Sequence, residues 1–422
     1  MGFLFQNIKI FDKHSPFHLT TCDILIEQGK ISKISKKIIP AKEHKVIKLP
    51  NACVSPGWID AHVNISDPGF EFKETLQETC SYAIRGGFTT VVVFPETTPQ
   101  AHDKTLIEYI LQNTKSFPVK VLPFGLLSFE RQGRQMNPYY EMTKAGAIGF
   151  SDNKKPINDW GFLFRVLQYT STFKPLFSFY PIEESLTFKQ NVWESPFTLK
   201  LGFKGIPALA QIQAVSNLLR FAGLFDNHIE LYGVVHPEAL DLVKKAKLSN
   251  VFVSIPSYIL SFDETYLQTF DPVFKTLPAL ISNDLIKNLK KYINEGIVRM
   301  VVSDHYAHNP EAKVCEWNFA AYGMHNLLTS FSYLIMSLGD DTHSIEKILD
   351  LIVYQPAAYL QLAPASITEG AEADLTFFAP SATYHLSEEH FTGESRNNPS
   401  FGKILQGKVL GVFTRKQWHP NI

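Results

Sequence analysis

The sequence predicts an α/β chain, a barrel of eight parallel strands alternating with helices, to which both termini add a small β unit. Three observations lead there. The middle of the chain alternates short apolar runs with helical periodicity, the pattern of a parallel sheet. Both ends instead read as short alternating strands between turn residues. The length, 422 residues, suits one large barrel with an appendage better than a single small core.

At the N-terminal end, Ile8–Phe11, Asp23–Ile26 and Lys30–Ile34 read as strands, with Gln28-Gly29 as a hairpin turn. At the other end, Ala373–Phe378 and Gly407–Phe413 have the same texture. Residues 1–55 and 365–422 are therefore expected to form one composite β-sandwich domain around a barrel spanning 56–364. Eight barrel strands are placed near Trp58, Phe88, Val119, Ala147, Pro175, His228, Val251 and Val298. Helices are placed at Thr75–Arg85, Pro207–Ala222, Pro237–Ala246 and Ser282–Ile293. An open doubly wound sheet fits less well, because no GxGxxG phosphate loop follows the first strand. Gly86-Gly87 ends the helix before the second strand.

Composition narrows the function classes. Hydrophobic residues make up 45% and charged residues 19%, as in an ordinary globular chain. A net charge of −1 argues against nucleic acid or a polybasic membrane contact. No stretch approaches the roughly 20 apolar residues needed to span a bilayer. The start, MGFLFQNIKIFDKHS, lacks a basic region followed by an apolar run, so no secretory signal is read. Cys22, Cys53, Cys80 and Cys315 form no CxxC pair and are expected to be reduced, buried thiols of a cytoplasmic protein.

The stretch Ser55–Pro99, SPGWIDAHVNISDPGFEFKETLQETCSYAIRGGFTTVVVFPETTP, carries a resemblance to a known family. It resembles the dihydroorotases of the amidohydrolase superfamily, which read PGxxDxHxH, LREPGxExKE and GGxTTxxxMPNTxP. The resemblance returns at Ser303–His308, against TDHAPH, and at Gly370–Leu375, Asn397–Gly402 and Gly407–Val409. It covers almost the whole chain. PGFEFKE favours dihydroorotase over allantoinases and hydantoinases, which share the barrel.

The resemblance implies a (β/α)8 TIM-type barrel of the metal-dependent amidohydrolase kind and interconversion of dihydroorotate with N-carbamoyl-aspartate. That chemistry uses a divalent metal to polarise a carbonyl and lower the pKa of water from 15.7 to about 7. Zinc favours imidazole and carboxylate ligands, aimed inward from the C-terminal ends of barrel strands.

Much of that set is substituted. The His-x-His pair is His62-x-Asn64. Asp152 stands where the family bridges its metals after the fourth strand. Phe179-Tyr180-Pro181 replaces a histidine after the fifth, and Leu231 takes the ligand position after the sixth. His236 lies further along, on a different loop path. Asp304 keeps the place of the general base and metal contact. His62, Asp152 and Asp304 thus remain as metal ligands for one weakly held zinc at most, and no cofactor is the leading expectation.

The substrate side is altered too. Ser66 replaces the arginine that would clamp the substrate carboxylate, Glu96 replaces an asparagine, and Asn64 and His308 occupy further substrate positions. A lost charge-assisted hydrogen bond is worth roughly 1.5–3 kcal/mol, and Glu96 beside an anionic substrate adds repulsion. His305 and His308 also read as loop-shaping residues, and His62 as a packed one. Some of the 33 Phe and 16 Tyr are expected to fill the space a metal would otherwise take.

Three functions are therefore weighed. The first is a catalytically impaired dihydroorotase-like protein, a homodimer assembled with aspartate carbamoyltransferase. The second is an active cyclic amidase with a reduced mononuclear site. The third is a binding protein unrelated to pyrimidines.

Overall fold

The protein is described from a computed structural model covering residues 2–187, 190–363 and 366–421. Its centre is a parallel barrel of Trp58–Ile65, Phe88–Pro95, Lys120–Gly125, Gly149–Phe150, Leu176–Phe179, Ile229–Tyr232, Val251–Pro256 and Val298–Val302, each strand pairing with its chain neighbour. The ring closes where Val63 bridges to His305, with Asn64 N–H donating to the His305 carbonyl at 2.9 Å. All eight residues of the first strand are buried, so its inward and outward faces are both packed.

Local sequence explains the helices. Thr75 and Glu78 form a reciprocal capping box at the start of Leu76–Arg85. Asp159 caps Trp160–Thr170, and Ser282 caps Asn283–Asn294. Barrel-strand and helix starts lie within two residues of the sequence expectation, Trp58, Phe88, Pro237, Val251 and Val298 coinciding with it, and the helix starts at Leu76 and Asn283 follow their capping Thr75 and Ser282. Gly86 ends the first helix, and Gly87 follows at φ +94°, where a Cβ would sit 2.6 Å from the Trp58 ring.

The termini supply Gly2–Ile10, Thr21–Glu27, Lys30–Ser35, His44–Lys48, Cys53–Pro56, Leu375–His385, Ile404–Thr414 and Gln417–Pro420. These join as one continuous hydrogen-bonded sheet built from both chain ends. Leu375–His385 pairs antiparallel with Cys53–Pro56 and so stitches the two chain ends together. Phe5 stacks on Phe377 at 4.3 Å and meets Trp418 edge-on at 5.1 Å, an aromatic core fed from both ends. The expected boundary at 364/365 lies outside the described residues. Cys22, Cys53 and Cys80 are buried free thiols, but Cys315 is exposed. No helix among the described residues is long and apolar enough to cross a membrane.

Candidate active site

Alternation along the first strand aims Asp60, His62 and Asn64 into the barrel. Asp60 accepts from the main-chain N–H groups of His62 and Ser303, each at 3.1 Å, which ties the first strand to the end of the eighth. Burial nonetheless pushes its carboxyl up to about 6.

His62 is fully buried between Phe94, stacked at 3.9 Å, and Tyr232, stacked at 4.2 Å. Its Nε2 meets Asn153 Oδ1 at 3.0 Å, and the amide of Asn153 then donates to Asn64 Oδ1 and Glu96 Oε1, both at 2.7 Å. An amide oxygen only accepts, so Nε2 carries the ring proton. Burial, with the nearby Lys154 charge, pulls the imidazole down to about 3. His62 is therefore a neutral, packed ring.

Asp304 is 1% exposed and sits at a left-handed φ of 51°. The Lys154 ammonium lies 2.8 Å from Oδ1 and 2.9 Å from Oδ2. Tyr258 donates to Oδ2 at 3.0 Å, and Asn64 Nδ2 lies 3.3 Å from Oδ1. Burial raises the carboxyl above the usual range, and Lys154 and the tyrosine hydroxyl oppose that rise. Tyr180 and Tyr232 face the same carboxylate; burial, then the Asp304 charge, holds both phenols above their ordinary value. The Tyr306 ring lies 5.5 Å from the Lys154 ammonium. The mouth is thus filled by aromatic rings around a lysine–aspartate pair.

Asp152 faces elsewhere. Its carboxylate accepts from the Ser128 N–H at 2.9 Å and from the Ser128 hydroxyl, closing the loop after the third strand. Burial again pushes it up to about 6. His62, Asp152 and Asp304 do not come together as a ligand group among the described residues. Asp152 is held by Ser128 and His62 is bonded through Nε2 to Asn153, with its buried Nδ1 unpartnered between the stacked rings, while a lysine holds the Asp304 carboxylate that a metal would need. The donor set at the mouth does not fit a zinc ion.

The sixth strand corrects one sequence placement. Tyr232 stacks on His62 and so points inward, and Glu230 shares its face. Leu231 therefore faces outward and does not occupy the ligand position. Glu230 accepts from the Ser254 hydroxyl, and burial lifts its carboxyl to about 7.

Of the expected substrate positions, Asn64 and Glu96 meet through the Asn153 amide, while Ser66 and His308 are bonded elsewhere. Ser66 is buried in the loop after the first strand, where its carbonyl accepts from Phe70 N–H at 2.9 Å. Glu96 is bound by Arg131 at 2.6 Å, and the Arg131 guanidinium also donates to the Asp152 carbonyl at 3.0 and 3.2 Å. His308 donates through Nε2 to the Tyr322 carbonyl at 2.7 Å, and burial with the Lys313 charge lowers it to about 3. His236 packs edge-on against Trp193 at 4.5 Å, beside Gln211, away from the mouth.

One buried group does bring three ligand-type residues within 4.8 Å: Glu74, His305 and His325. His305 Nδ1 accepts main-chain N–H bonds from Asn326 and Leu327 at 3.1 and 3.3 Å, so its proton sits on Nε2, which donates to Glu74 at 2.9 Å. A protonated ring nitrogen cannot bind a metal, which leaves only two potential ligands there.

Lys154, Arg131, Tyr180, Tyr232 and Tyr258 were not singled out from sequence as site residues. Lys154 follows Asp152-Asn153 by one position, so a cation beside two expected ligands was visible in the string, though its direction was not.

The Dihydro-orotase-like family profile matches residues 52–222. Dihydroorotase of Carboxydothermus hydrogenoformans is 30% identical over 397 residues, 93% of this chain and 92% of that protein. Dihydroorotase of Aquifex aeolicus is 28% identical over 394 residues, 92% of each chain. Among solved structures, the L-hydantoinase of Arthrobacter aurescens superposes with a TM-score of 0.83 at 19% identity, over 99% of this chain and 95% of that one, which supports the barrel-plus-β fold. From the near-full-length likeness to dihydroorotases and the shared fold, the chain belongs to the dihydroorotase family of the amidohydrolase superfamily.

Proposed function

We propose that this chain keeps the dihydroorotase architecture without metal-assisted hydrolysis of a cyclic amide, and serves pyrimidine synthesis as a non-catalytic, homodimeric partner of aspartate carbamoyltransferase. The observation that carries the loss of catalysis is the Lys154 ammonium seated on both oxygens of Asp304. An ammonium neutralises a carboxylate but offers no open position for a water or a carbonyl, so it cannot take over the Lewis-acid role. Asp304 engaged by Lys154 and Tyr258 is also not free to take a proton from water. The arginine nearest the mouth, Arg131, is spent on Glu96 rather than left for a substrate carboxylate. The partner reading rests on the resemblance of these losses to those of inactive family members.

The test has two parts. Purified chain, with and without added zinc, is assayed for dihydroorotate hydrolysis and the reverse ring closure; turnover at background level in both directions is expected. Aspartate carbamoyltransferase is then purified from cells with and without this chain. A smaller or inactive transcarbamoylase in its absence supports the partnership. Normal assembly and activity without it would remove that half of the proposal, and zinc-dependent turnover would remove the other.

A further inference from the structure

Loops after the third, fourth and fifth barrel strands line an open surface cavity of about 360 Å³ whose walls include Arg131, Gln132, Arg134, Lys155, Asn158 and Glu184. It lies on the face where barrels of this type bind their ligands, at the C-terminal ends of the strands, and it meets the mouth at Arg131, which is bonded to Glu96 and the Asp152 carbonyl.

Its walls carry three cations against one carboxylate. Arg131 is fixed in place by Glu96 and the Asp152 carbonyl. Arg134 and Lys155 take part in none of the ion pairs among the described residues. Glu184, the opposing carboxylate, accepts from the Asn158 amide. The loop holding the arginines is held in an unfavourable shape: Glu130 and Arg131 are consecutive non-glycine residues at φ 51° and 57°, followed by Gly133 at φ +66°. That path turns Arg131 inward onto its two anchors and leaves Arg134 facing the same cavity as Lys155.

We infer that this cavity is a binding site for a small oxyanion, a phosphate or a carboxylate, held by Arg134 and Lys155 against the fixed wall of Arg131. Arginine suits the planar, bidentate geometry of such groups, and lysine adds a movable point charge. The site shares the fixed Arg131 with the mouth, but its ligand contacts, Arg134 and Lys155, are not the Lys154–Asp304 pair on which the proposed function rests.

Calorimetric titration of the full chain with inorganic phosphate, and separately with succinate, tests it, with sodium chloride at matched ionic strength as control. The expected result is saturable binding of at least one anion, weakened about tenfold in the R134A/K155A double variant and weakened further by added salt. Phosphate binding without succinate binding assigns a phosphate-bearing ligand, and the reverse assigns a carboxylate. Both side chains are exposed, so the variant is expected to keep the wild-type urea midpoint. Absence of binding by both anions, equal binding by the double variant, or reproduction of the heat by chloride alone overturns the inference.

Discussion

Replacing Lys154 by methionine removes the cation and keeps most of the side-chain volume. The Lys154 side chain is 8% exposed and that of Asp304 1%, so the pair is largely shielded from solvent. What remains on Asp304 is one tyrosine hydroxyl at 3.0 Å and one amide at 3.3 Å, neither of which carries charge. Removing one partner of a buried ion pair typically costs about 3–5 kcal/mol, because the other charge is left in low dielectric. Lys154→Met is expected to fall in that range, measured as the change in unfolding free energy in urea at pH 7. Asp304→Asn also loses stability, since it strands the ammonium. The double variant Lys154→Met/Asp304→Asn has no stranded charge and should recover much of the loss, giving a coupling of at least about 2 kcal/mol in a double-mutant cycle. A loss below about 1 kcal/mol for Lys154→Met, or additive effects in the cycle, would show that the pair does not exist in solution.

Other outcomes follow from the same packing. Phe94 is buried against both His62 at 3.9 Å and Phe124 at 4.7 Å, so Phe94→Ala is expected to cost about 3–5 kcal/mol in thermal or urea unfolding. His62 has its pKa depressed to about 3, against about 6.5 unfolded. The unfolded chain then binds a proton that the folded one refuses, so this group's contribution is present above pH ~6.5 and is lost as pH falls toward 3. Asp60 and Asp152, raised to about 6, act oppositely: their contributions are present below pH ~4 and are lost as pH rises toward 6. Urea titrations of His62→Phe between pH 6 and 4 should show a stability slope lower by up to about 1.4 kcal/mol per pH unit than wild type; an unchanged slope would mean the ring is protonated or exposed.

The barrel was legible because its signals are local. Strand runs such as FTTVVVFP at Phe88–Pro95 and caps such as Thr75 with Glu78 declare themselves within a few residues. The departures from the family pattern at Asn64, Ser66 and Glu96 were read by position in a recognised motif. That aromatic side chains would fill the site was expected; which ones, and the lysine among them, were not. Whether Asp152 turns toward His62 or toward Ser128 depends on a loop closing 24 residues back. Lys154 reaches Asp304 across 150 residues of sequence, a pairing that no spacing rule gives. Leu231 was misplaced because a pattern match fixes position along a strand but not its facing, and one residue of slip exchanges inward for outward. Tyr180, Tyr232 and Tyr258 read as ordinary core aromatics until the sheet curls them round one carboxylate.

The central claim is that a lysine, not a metal, balances the charge of Asp304. Elemental analysis of the purified wild-type chain, after exposure to equimolar zinc and gel filtration, tests it most directly. The account predicts far less than one zinc per chain, unchanged in His62→Phe and Asp304→Asn. One zinc per chain that disappears in either variant would contradict it.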